Sequence, residues 1–207
     1  MIIKRLNLTQ VYLKISSKMH FNTLYLIIGL TLLGCNKTSN STNTTLNSTV
    51  IANQLSFSGN GFANNGIFPK LYTCDSLGIS PALQWSNAPA GTTNFALTMH
   101  HFPPTYPVEA KHVYFVLYNI PASTNSLIEN AKTIGLFGMN TVDGKNSYTP
   151  PCSQGPGSKT YILTLYALSA APTISVSSSQ VTMDILIAGI RNKILDSTVM
   201  TVTYTRP

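Results

Sequence analysis

Residues Tyr148 to Leu168 constrain the fold of this 207-residue chain more than any other stretch. The first part, Pro150 to Ser158, holds three prolines and two glycines. Proline removes a ladder donor and glycine loosens the backbone, so this part is neither helix nor central strand. The second part, Tyr161-Ile162-Leu163-Thr164-Leu165-Tyr166-Ala167-Leu168, is almost continuously apolar or aromatic. That pattern predicts a strand covered on both faces, as in the middle of a two-layer protein. A stiff loop therefore feeds directly into a core strand, and loops held by a rigid scaffold are where sites tend to sit. The search for a site starts at Cys152 and Lys159.

The formal net charge of +7 is misleading. Four of the thirteen basic residues, Lys4, Arg5, Lys14 and Lys18, precede the apolar run from Leu24 to Gly34. Beyond that run nine basic residues face six acidic ones, a net of +3. They are scattered singly, which argues against a nucleic-acid surface. The apolar run is too short for a comfortable membrane span and ends at a small residue, in the manner of a signal peptide. Leu32-Leu33-Gly34-Cys35 resembles the lipobox of bacterial lipoproteins, in which the cysteine becomes the lipidated first residue. The expected organisation is a signal peptide over 1–34, a flexible tether over 35–54 and a folded domain over 55–207. An initiator at Met19 would give a more usual signal length. Asn36 to Asn53 is rich in Asn, Ser and Thr, and has too little to bury to offset its ordering entropy. Its four Asn-x-Ser/Thr triplets read, beside a lipobox, as linker composition.

From Leu55 the texture is that of short strands and turns. Leu55 to Ser58 alternates, Gly59-Asn60-Gly61 turns, and the chain stays irregular until Leu83-Gln84-Trp85, whose tryptophan reads as a core anchor. In the next strand Phe95, Leu97, Met99 and His101 share one face, and Ala96, Thr98 and His100 the other. Phe102 to Pro107 must be loop. In the following strand, His112 to Asn119, period two puts His112, Tyr114, Val116 and Tyr118 on one side and Val113, Phe115 and Leu117 on the other. A helical turn is expected over Leu127 to Ala131. A helix is expected over Val181 to Leu195, with a Ser or Thr cap, Asp184 in the first turn and Arg191 and Lys193 in the last. A last strand is expected over Thr198 to Thr205. Many short strands with one late helix predict a mainly β, antiparallel two-sheet sandwich.

Four segments, in order, resemble the phosphatidylethanolamine-binding protein family, and specifically its bacterial Raf-kinase-inhibitor-like branch. They are Tyr72-Thr73-Cys74-Asp75 with Ile79-Ser80-Pro81-Ala82-Leu83-Gln84-Trp85-Ser86; Tyr118-Asn119-Ile120-Pro121-Ala122; Gly138-Met139-Asn140; and Pro151-Cys152 leading to Tyr161 and Leu165-Tyr166-Ala167-Leu168. The resemblance implies a Greek-key sandwich with a C-terminal helix, and at one end a small pocket for phosphate-like or carboxylate groups. Relatives carry Asp-Pro-Asp-Ala-Pro where this chain has His101-Phe102-Pro103-Pro104, so His101 and Pro103 take the aspartate places. They carry His-Trp where Tyr114-Phe115 stands, with His112 two residues earlier. Lys159 replaces a histidine of their Gly-x-His-Arg-Tyr. The inferred ligand-binding set is His101, His112, Tyr114 and Lys159, with Pro151, Cys152 and Tyr161 completing the wall. Trading two carboxylates for His101, His112 and Lys159 makes such a pocket more positive and suits it to a small anion or phospholipid headgroup through charge-assisted hydrogen bonds. The alternative implied by the family is a binder or inhibitor of a protein partner in the envelope, with a decayed pocket.

No cofactor, metal site or catalytic group is expected. Ser153 or Ser158 with His112 and Asp75 can be drawn as a hydrolase triad, but no Gly-x-Ser-x-Gly elbow accompanies them. A zinc site from His100, His101 and His112 is opposed by the alternation that sends His100 and His101 to different faces. With Cys35 assigned to lipid, Cys74 and Cys152 are left either as a disulfide suited to an exported compartment or as two free buried thiols. The expected location is the bacterial cell envelope, anchored by lipid to the outer membrane or the periplasmic face.

Overall fold

The computed structural model describes residues 54–103, 111–152, 154 and 156–207. The expected signal peptide, Cys35, nearly all of the expected tether, the 104–110 stretch, Ser153 and Gly155 lie outside the described residues.

Two sheets enclose the main core. The smaller has strands β1 (Ser56–Gly59), β3 (Leu83–Ser86) and β6 (Ser126–Leu127) in the order β1-β3-β6. The larger runs β2-β9-β8-β4-β5-β7, with β2 at Gly66–Ile67, β4 at Asn94–His101, β5 at His112–Pro121, β7 at Leu136–Phe137, β8 at Lys159–Leu168 and β9 at Ile194–Tyr204. All pairings are antiparallel except the two-residue contact of β2 on β9. Between the sheets Trp85 meets Phe95 edge-on at 5.4 Å, and Leu97, Met99, Leu163, Leu165 and Met200 are fully buried. A second core on the far face of the large sheet packs Ala96, Val113, Val116, Tyr118 and Leu168 under the helix α1 (Met183–Ile190). β8 thus has apolar cover on both faces, which is why its sequence scarcely alternates.

Three local expectations need correction. The helix ends at Ile190, because Ile194 already pairs with Leu168, and sheet capture outweighs the helix propensity of the residues that follow. It also starts two residues later than expected, at Met183, because Thr182, expected inside the helix, is itself the cap and accepts a hydrogen bond from the Ile185 N–H at 3.3 Å. Leu127 to Ala131 forms no helical turn: Ser126 and Leu127 pair with Gln84 and Leu83, and Asn130, at φ 55°, turns the chain back so that its N–H reaches the Ser80 carbonyl. Finally, β5 does not keep period two. Met99 pairs with Phe115 but His100 with Val113, leaving Tyr114 as the extra residue of a bulge. Tyr114 and Phe115 therefore both belong to the inter-sheet core, while Val113, Val116 and Tyr118 belong to the helix side.

Candidate functional site

The site forms at the pole of the sandwich where β4 ends, β5 begins and β8 begins. Tyr161, fully buried, is its floor. The rings of His101 and Tyr114 each lie 5.4 Å from it, and that of Phe68 lies 6.3 Å away. The register places His101 directly opposite His112. The Tyr114 bulge matters here, since it brings Tyr114 onto the side of Tyr161 rather than onto the helix side with Val116 and Tyr118. His100 points the other way, with its ring edge-on to Phe102 at 5.0 Å. The two adjacent histidines are therefore on opposite faces, and no group of three or more potential metal ligands occurs among the described residues.

The protonation of His101 follows from its contacts. Its Nδ1 lies 2.8 Å from the Thr160 carbonyl oxygen, which can only accept, so Nδ1 carries the proton. Burial pushes the imidazole below its usual range; the Thr160 carbonyl opposes this, while His112 and Lys159 add to the depression. In its neutral form His101 thus presents an Nε2 lone pair, and it becomes a donor there only when protonated. Lys159 is half-buried at the start of β8, and its Nζ donates to the Pro156 carbonyl at 2.9 Å.

The wall opposite comes from two loops that a disulfide joins. Cys74 and Cys152 are bonded, with Cα atoms 5.3 Å apart, and the Cys74 N–H donates to the Pro151 carbonyl at 3.1 Å. Pro151 is buried, whereas Cys152, tied up in the bridge, is exposed and offers no thiol. Next in sequence, Asp75 is fully engaged: Arg206 donates to both its oxygens at 2.9–3.1 Å and the Tyr204 hydroxyl donates at 2.9 Å. The Arg206 hydrogen bonds hold this carboxyl below its usual range despite some desolvation. An Asp75 held this way is not turned toward a histidine, as a hydrolase triad requires.

Several residues of the site were not singled out by sequence reasoning. Tyr148, whose hydroxyl donates to the Tyr72 carbonyl, is pushed well up by burial, with Tyr161, Tyr114 and Tyr72 close by. Tyr72 in turn donates to Glu129 at 2.7 Å, and is raised to about 12 by burial and by that carboxylate. Arg206 and Tyr204 come from the last residues of the chain, with nothing in their local pattern to mark them. Asn140 was legible only as part of a motif. Fully buried, it donates through Nδ2 to Asp143, the Lys145 carbonyl and Thr149, and accepts through Oδ1 from the Val142 and Asp143 N–H groups. It thereby shapes the loop that delivers Tyr148 and Thr149, the latter donating its N–H to the Tyr114 carbonyl at 2.9 Å. A separate concavity of about 450 Å³ lies between α1 and Thr173 to Val176, but its one charged residue, Lys193, is spent on the Ala171 carbonyl and the Thr173 hydroxyl.

A two-sheet sandwich with one late helix and a polar, tyrosine-floored pole defines a class of small β-sandwich proteins. Residues 58–205 match the family described as Phosphatidylethanolamine-binding protein, and the chain belongs to that family. A UPF0098 protein of Chlamydia pneumoniae is 29% identical over 147 residues, covering 69% of this chain and 93% of that relative. A UPF0098 protein of Aquifex aeolicus is 35% identical over 114 residues, covering 52% of this chain and 64% of the relative's own length. Among solved structures, a phosphatidylethanolamine-binding protein homologue from Chlamydia trachomatis superposes with a TM-score of 0.68 at 25% identity, covering 75% of this chain and 99% of that one. Escherichia coli YbcL gives 0.64 at 21% identity, covering 74% and 99%, which speaks to the fold alone.

Proposed function

We propose that this pole of the sandwich binds a small oxyanion, a phosphate or a carboxylate, without transforming it, and that the domain does so in a bacterial envelope, anchored by lipid at Cys35. The carrying observation is that His101, packed against Tyr161, has His112 opposite it and Lys159 close by, with the carboxylate of Asp75 neutralised by Arg206. An anion placed there meets Lys159 and, once protonated, His101, in a partly dry setting where charge-assisted bonds are strong. Binding a fully charged anion raises the proton affinity of His101, so affinity rises as pH falls. A ligand with its own P–OH can instead donate to the Nε2 lone pair.

The test is a titration of the purified full chain in detergent with sulfate and with phosphate at pH 7.5 and 5.5, following histidine chemical shifts. Sulfate does not titrate in this range, so any change reports the protein. Saturable shifts at His101 and His112, tighter at pH 5.5 and lost in Lys159→Ala, are the expected result. No response at tens of millimolar at either pH sinks the reading. It would favour the second one, a protein-binding domain with a silent pocket, whose support is the Lys159 ammonium already bonded within its own loop.

A further inference from the structure

The charges around the site bear on which anion it takes. A zwitterionic ligand such as phosphoethanolamine brings a phosphate together with an ammonium, and a buried or half-buried ammonium needs a carboxylate or a desolvated aromatic face. Each acid among the described residues is already placed. Asp75 is saturated by Arg206 and Tyr204. Glu129 accepts from Tyr72, Asp143 is bound within its own loop by Asn140, and Asp184 pairs with Lys111 at 2.6 Å beside the helix. Asp196 accepts from the Leu55 N–H and pairs with Ala167, at the other end of β8 and β9 from Lys159 and Tyr204. Cations, by contrast, meet at the site: Lys159 acts on His101, and Arg206 lies near Tyr161 and Tyr204. An ammonium entering with its phosphate finds repulsion from Lys159 and only carboxylates that already hold a hydrogen-bond partner.

Resting on the anion-binding reading above, we propose that the site selects phosphate esters that carry no positive charge over phosphoethanolamine-type ligands. The shared chemistry is an esterified phosphate without an ammonium, whether from a small metabolite or from a lipid headgroup.

The experiment compares glycerol 3-phosphate with phosphoethanolamine, both monoesters, and soluble dihexanoyl phosphatidylglycerol with dihexanoyl phosphatidylethanolamine, both diesters, by calorimetric titration of the full chain at pH 7.5. Expected is at least tenfold tighter binding of the uncharged-tail ester within each pair, equivalent to about 1.4 kcal/mol. Tighter binding of the dihexanoyl pair than of the small esters would identify the lipid as the source, and the reverse a free metabolite; either is compatible with the selectivity. His101→Asp, which places a carboxylate opposite His112, should narrow the preference. Equal or tighter binding of phosphoethanolamine overturns the inference while leaving anion binding standing, and would assign the ammonium to the faces of Tyr114, Tyr148 and Tyr161. Glu109 lies outside the described residues, so Glu109→Gln is measured alongside. A selectivity that emerges only in that variant also overturns the inference. If none of the four ligands binds, and inorganic phosphate does not bind either, the anion-binding reading itself falls.

Discussion

His100 and His101 show how one residue step separates two kinds of histidine. His101 faces Tyr161 and serves the site; His100 faces the helix side, its Nδ1 without a hydrogen-bond partner, and is pushed down to about 4 by burial first, then by Lys111 and His101. The sign of its effect on stability follows from linkage. Its folded-state value lies below the unfolded one near 6.5, so the unfolded chain binds the proton more readily. The stability that neutral His100 contributes is present above about pH 6.5 and is lost as pH falls toward 4. The loss is at most on the order of 3 kcal/mol. In His100→Leu the fall in urea midpoint between pH 7 and pH 4.5 should shrink markedly. An unchanged acid slope would mean that His100 does not govern it.

At the scale of elements, the bulge in β5 and the Asn140 loop do the positioning. Asn140→Ala removes buried hydrogen bonds and leaves carbonyls unpaired, so it should cost about 2–4 kcal/mol in chemical denaturation. Asn140→Ala should also loosen Tyr148, and a Tyr148 ring resonance that stays unshifted would contradict its positioning role. The strands were legible because apolar alternation and proline-glycine breaks are local signals: β1, β3, β4 and β8 fall where the pattern put them. The bulge was not, because a single extra residue reads in sequence like continued alternation, and only the register of β4 against β5 reveals it. The helix end was misplaced for a related reason. Residues Ile194 and Leu195 suit a helix locally, but Leu168, distant in sequence, claims Ile194 for a strand. The fold brings His101 and Tyr114 against Tyr161 and sets His112 opposite His101 in the register of β4 and β5. Arg206 and Tyr204 escaped because only the closed fold brings the chain end back to Asp75.

At the scale of the molecule, the Cys74–Cys152 bridge ties together loops 78 residues apart. A closed loop of that size restricts the unfolded chain by about 4 kcal/mol in the chain-entropy account. The double variant Cys74→Ala/Cys152→Ala should lose stability of that order, and reductant should lower the denaturation midpoint of the parent but not of the variant. A parent indifferent to reductant would show that the bridge contributes little.

The Leu55 N–H is held by Asp196, near the start of β9, while the site lies beside Tyr204 at that strand's other end. At about 3.3 Å per residue, the strand between them spans about 26 Å. Leu55 and the candidate site therefore lie at opposite ends of β9, so a substitution at Leu55 should leave the geometry around Tyr161 unchanged.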